Sequence, residues 1–87
     1  MDLTLAESLE ISTVLDSKAQ YLEWLKQNSP LRIDASLVAH VDAAGIQLLA
    51  SFFMTARHAN IDISLVNATN TLTEGITVLA LEGLFAE

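Results

Sequence analysis

The chain has 87 residues, 52% hydrophobic and 17% charged, with 4 Lys+Arg against 11 Asp+Glu, a net charge of −7 and a pI near 4.5. A chain of this length forms one domain that buries roughly 60–65% of its unfolded surface, and so apolar a composition excludes a disordered polymer. Four cations cannot supply the phosphate contacts that dominate nucleic-acid binding, and the lack of cysteine excludes a disulfide framework and thiol chemistry.

At the start of the chain Leu3 and Leu5 alternate with Thr4, then Leu9 and Ile11 with Glu10, which predicts two short strands around Ala6-Glu7-Ser8. Thr13 and Asp16 have the spacing of a capping box and open a helix expected to run to about Asn28. Leu15, Ala19, Leu22 and Leu25 would form its apolar stripe, with Tyr21 and Trp24 on the flank as partial core. Asn28-Ser29-Pro30 stops it, because proline disfavours helical geometry in the residue before it.

Leu31, Ile33 and Ala35 alternate with Arg32, Asp34 and Ser36, the pattern of a strand with one solvated face. A connector ending at Val41 leads to Asp42, placed as the N-cap of a second helix that reaches about Asn60. Its core stripe is Ile46, Leu49, Phe53 and Ala56, widened by Leu48 and Phe52. Ile61, Ile63 and Leu65 predict another strand. Asn70 or Thr71 would cap a third helix that buries Leu72, Ile76 and Leu79 and ends at Gly83.

The expected order is therefore ββαβαβα within a single domain of residues 1–87. Strands joined through helices should be parallel with right-handed crossovers. Because these strands alternate instead of reading as continuous apolar runs, the fold class is α/β with an α+β flavour. One small mixed sheet would carry its helices mainly on one face.

No stretch is apolar enough to cross a membrane: the run from Ile46 to Ala56 is interrupted by Gln47, Ser51 and Thr55. Met1-Asp2-Leu3-Thr4 has no basic n-region, so a cytoplasmic protein is the expectation.

Signs of catalysis are sparse. The three glycines, Gly45, Gly75 and Gly83, make no phosphate loop, and His40 and His58 lack metal-ligand spacing. Asp34 reads as a strand residue on the open sheet face and Asp42 as a cap, which leaves no pair of carboxylates for acid–base work. Ser36 and Ser51 have no adjacent base. The expectation is a non-enzyme without cofactor or metal.

One constellation stands out, Val41-Asp42-Ala43-Ala44-Gly45-Ile46-Gln47-Leu48-Leu49 at a strand-to-helix turn. With the element order, Leu31-Arg32-Ile33-Asp34-Ala35, Ile63-Ser64-Leu65-Val66-Asn67 and Leu81-Glu82-Gly83-Leu84-Phe85, it resembles the STAS family (sulfate transporter and anti-sigma factor antagonist) over nearly the whole chain.

That resemblance implies a bacterial signalling module. Its switch loop, here Asp42 to Gly45, would carry a serine or threonine phosphorylated by a partner kinase. This chain has Ala44 at the position of the acceptor and Ala43 beside it, so neither can take a phosphoryl group. The resemblance implies partner switching with an anti-sigma factor, a kinase-like or a chemotaxis-linked protein, constitutive or regulated through the partner.

Gln47, Ser51, Met54 and His58, at i, i+4, i+7 and i+11, are the expected partner-binding stripe, with Met54 an adaptable apolar contact in a polar row. The equally economical reading is a solvated helix face with one methionine in it. An alternative within the family is the small STAS subunit of an ABC lipid transporter, resting on its ATPase; such proteins tend to keep a threonine where Ala43 stands. A nucleotide-binding variant would have to use Arg32, Arg57, Lys18 and Lys26, which are scattered over different elements. A monomer or weak homodimer through the uncovered sheet is expected.

Overall fold

The computed structural model describes residues 1–27 and 29–85. Its elements are β1 (Asp2–Thr4), β2 (Ser8–Leu9), a 3-10 turn (Ile11–Thr13), α1 (Val14–Trp24), β3 (Leu31–Asp34), β4 (His40–Val41), α2 (Ala43–His58), β5 (Ile63–Val66), α3 (Asn70–Val78) and α4 (Glu82–Phe85). The α/β class is as expected. The strands form a three-stranded ladder in the order β1-β3-β5 and a two-stranded one pairing β2 with β4, and every pairing is parallel where a mixed sheet was expected.

Register explains the alternation. Leu3 pairs with Ile33 and Ile33 with Leu65, while Asp2 pairs with Arg32 and Arg32 with Ser64. Side chains in register on parallel neighbours share a face. The Leu3–Ile33–Leu65 face is covered, with Leu31 and Ile33 fully buried, and the Asp2–Arg32 face is open. A sheet covered on one side only has no use for the continuous apolar runs of a doubly covered one.

α2 is the spine of the core. Ile46, Leu49, Ala50, Phe52, Phe53 and Ala56 are buried, and all of these but Ala50 join Leu5, Leu9, Leu31, Ile33 and Leu72 in one cluster. Phe53 meets Phe85 of α4 edge-on at 4.8 Å between ring centroids, and Phe52 stacks on Tyr21 of α1 at 4.7 Å. Each large side chain buried in this way contributes about 1.5–3 kcal/mol before entropy is counted.

Several sequence expectations need correction. α1 is rotated: it buries Ser17, Tyr21 and Trp24, while Leu15 is 82% exposed and Ala19 and Leu22 face solvent. The aromatic pair wins because it meets Phe52, a larger apolar partner than the leucine stripe would find. The capping box at this end joins Glu10 and Thr13, with the Thr13 hydroxyl accepting from Glu10 N–H at 3.1 Å, and the Thr13–Asp16 box does not form. Ile11 consequently belongs to the 3-10 turn and not to a strand. The expected helix end at Asn28 lies outside the described residues.

Thr69, not Asn70 or Thr71, caps α3, accepting from Leu72 N–H at 3.3 Å while donating to the Val38 carbonyl at 2.8 Å. The same helix ends well before Gly83. Ala80 takes a left-handed φ of 56°, and Leu81 N–H and Ala80 N–H return to the Ile76 and Thr77 carbonyls, a Schellman termination without glycine. α2 ends in the same way at Asn60. The connector before Asp42 also contains a strand, β4, that two residues of sequence could not announce.

Candidate functional site

The turn from β4 into α2 is built around Asp42. Its Oδ1 accepts the Gly45 N–H at 2.9 Å, an N-cap bond that satisfies one of the donors a helix start leaves open. Its Oδ2 accepts the Ile11 N–H, also at 2.9 Å, so one carboxylate ties the end of β2 to the start of α2. The Asp42 N–H donates to the Leu9 carbonyl at 3.1 Å. These bonds, the one from Ile11 first and then that from Gly45, hold the Asp42 carboxyl below its ordinary value of 3.8. The group is a fixed anion engaged by the backbone, which leaves it poorly suited to act as a base.

Gly45 sits where a side chain cannot. A Cβ there would lie inside contact distance of the Leu9 carbonyl and 2.6 Å from Glu10 N. The first turn of α2 therefore rests directly on the backbone following β2. The Asp42-x-x-Gly45 spacing follows: the carboxylate caps the N–H three residues on, and that residue must be bare.

Between them, Ala43 is exposed and Ala44 half-buried. The turn thus presents methyl groups at the mouth of a helix N-terminus. Below it Gln47, Ser51, Met54 and His58 are all exposed along one ridge of α2, with Met54 45% accessible. His58 lies in the last turn, where a cation would complement the helix dipole.

The remaining candidates do not converge. Asp34 accepts the Ser36 N–H at 2.8 Å, the bond that chiefly holds its carboxyl below its usual value. His40 Nε2 lies 4.0 Å from Glu7 Oε1. Among the described residues no group of three or more His, Asp or Glu is placed to hold a metal ion. Among the described residues no helix is long and apolar enough to cross a membrane.

Two features escaped sequence reasoning. Ile11, 69% exposed, is hydrogen-bonded to Asp42 and so borders the turn into α2. Ile11, Leu15 and Leu22 recur at i, i+4 and i+11, the only available signal, and it reads equally well as a buried stripe. The second is a cleft between α1 and α2 lined by residues of both helices, which no single helical pattern reveals.

No curated protein matches the chain. A family model described as "Mlab, STAS domain" matches residues 1–86. That match takes in every element from β1 to α4, including the turn capped by Asp42, and the chain belongs to the STAS family.

Proposed function

We propose that this STAS module is a non-enzymatic bacterial signalling protein of the anti-sigma-factor-antagonist kind. It docks an anti-sigma, kinase-like or chemotaxis-linked partner in the cytoplasm through residues 42–58. The observation that carries the reading is the capped turn itself: Asp42 is engaged at both oxygens, and the accessible positions beside it are Ala43 and Ala44. A phosphoryl group at this helix start would sit near the positive end of the dipole while adding charge and bulk to the docking surface. Without a hydroxyl, the module stays in its binding form unless the partner is regulated. The exposed ridge with Met54 is the contact surface that extends from the turn.

Ala44→Glu tests this. Position 44 lies in the first turn of α2, where an acidic residue suits the dipole, so the fold should persist with an unchanged Tm. In a pull-down from native cytoplasm, wild type should retain an anti-sigma, kinase-like or chemotaxis protein that the glutamate variant loses. Equal retention by both forms removes the loop from the interface. Recovery of an ABC ATPase would favour the transporter-subunit alternative.

A further inference from the structure

α1 turns Ser17, Tyr21 and Trp24 into the core and leaves its second apolar stripe in water. Leu15, Ala19 and Leu22, at i, i+4 and i+7, are exposed on the opposite side, Leu15 at 82% and Leu22 at 54%. Ile11, also exposed, prolongs the row at one end, and beyond Leu22 it runs into the α1–α2 cleft with Leu25 and Leu48. Single exposed leucines are ordinary, whereas a contiguous apolar row along one helix face marks a contact surface.

The charges beside the row say what covers it. With 3.6 residues per turn, Lys18 flanks the row on the side of α2, where it lines the cleft, and Asp16 and Glu23 flank it on the other side. Written as a heptad, Leu15 and Leu22 occupy d, Ala19 occupies a, Lys18 occupies g, and Asp16 and Glu23 occupy e. Lys18 and Asp16 form no ion pair among the described residues. Glu23 holds Lys26 through Oε1 at 3.2 Å, and a carboxylate has a second oxygen to offer. One helix thus carries both signs of charge, one on each side of its apolar row, which suits a second copy of itself. Two copies can meet face to face in two symmetric ways. An antiparallel pair brings identical flanks together, Lys18 against Lys18 and acids against acids. A parallel pair brings opposite flanks together, and Lys18 of each copy then meets Glu23 of the other, the g-to-e spacing across a parallel coiled coil.

We propose that the chain self-associates through α1 as a parallel two-fold pair. Leu15, Ala19 and Leu22 meet their own copies, and two Lys18–Glu23 pairs flank them. The rest of the domain packs on the Tyr21 and Trp24 side of α1, away from this face. Three turns of helix from each copy bury less than about 1,200 Å2 in total, the size of a transient contact and not of an obligate dimer. The face shares no residue with the ridge from Gln47 to His58, and the proposal does not rest on the proposed function, so the two fail independently.

Sedimentation equilibrium of the full chain tests this, at about 0.15 M NaCl where only neighbouring charges interact. Wild type should show a monomer–dimer equilibrium with dissociation in about the 0.1 mM range, as suits so small an interface. Leu15→Glu should weaken it more than about tenfold, because it buries a charge at the centre of the contact. Its Tm at monomeric dilution should match wild type, since Leu15 is outside the core. Lys18→Glu and Glu23→Lys should each weaken the pair about three- to thirtyfold, because the two-fold axis counts every lost charge pair twice. The double variant should return to within about twofold of wild type. Glu23→Lys replaces an anion by a cation and takes the net charge from −7 to −5, which by itself favours association, so a loss with that variant is a local effect. The proposal is overturned by a chain that stays monomeric up to about 1 mM, or by a dimer that Leu15→Glu leaves intact, as it would if the copies met at the open sheet face. It is overturned equally by Glu23→Lys leaving the pair unchanged or strengthening it, the sign an antiparallel arrangement would give, or by a double variant no better than the single ones.

Discussion

Gly45 is the residue at which fold and site are least separable. Its hydrogen occupies the space between the first turn of α2 and the Leu9–Glu10 backbone, and backbone cannot swing aside as a side-chain tip can. Gly45→Ala must push the helix start away from β2 and so disturb both bonds of Asp42. We expect destabilisation of about 3 kcal/mol, at the upper end of overpacking costs. Gly83→Ala is the control: nothing lies within 4 Å of a Cβ there, the residue is in α4, and alanine is the better helix former, so stability should hold or rise slightly. Urea unfolding of the two variants beside wild type checks both signs. A Gly45→Ala variant as stable as wild type would mean that the turn is not packed as tightly as the structure places it. Asp42 and Gly45 were legible in the sequence because cap chemistry acts over three residues. That Asp42 also reaches Ile11, 31 positions earlier, was not, since nothing local encodes that distance.

At the scale of the elements, the helices show where pattern reading works and where it fails. The buried face of α2 follows its sequence spacing closely, because one side of the helix holds nearly all of its large apolar residues. α1 carries two competing stripes, leucines on one side and Tyr21 with Trp24 on the other. The choice rests with Phe52 on a different element, which periodicity within α1 cannot see. The end of α2 near Asn60 agrees with its sequence, whereas α3 ends before Gly83 for a chemical reason: glycine was expected at the left-handed position, and the chain uses Ala80 there. The Ala80 termination makes a prediction. An alanine held at φ 56° carries strain that glycine lacks, so Ala80→Gly should stabilise by about 0.5–1 kcal/mol after the entropy cost of glycine is subtracted. Ala59→Gly, where φ is −90°, removes no strain and should destabilise by about 0.5–1 kcal/mol. The same substitution with opposite signs, read from denaturant midpoints, separates backbone strain from side-chain effects. Matching signs would refute the left-handed assignment at Ala80.

Charge acts on the whole molecule. Eleven acids and four cations occupy a body of 28 × 25 × 20 Å. The Lys26–Glu23 and Arg32–Asp2 pairs, at 3.2 and 3.9 Å, are both exposed, and such pairs contribute little. Self-repulsion among the remaining acids therefore opposes the compact state. Its range decides how much. At about 0.01 M salt the screening length is roughly 30 Å, as long as the molecule, so every acid repels every other; at about 0.15 M it is roughly 8 Å and only neighbours interact. Raising NaCl between these limits should raise Tm, and most of the gain should come before the upper limit is reached. Docking should respond in the opposite direction if the partner surface is basic, because the same screening slows an electrostatically steered encounter. Thermal melts followed by circular dichroism over a salt series give the first sign, and association rates with the captured partner give the second. A Tm that stays flat or falls with salt would mean that the acids are spread widely enough to cost the fold nothing. The excess of −7 would then have to be explained by what the protein meets and not by how it folds.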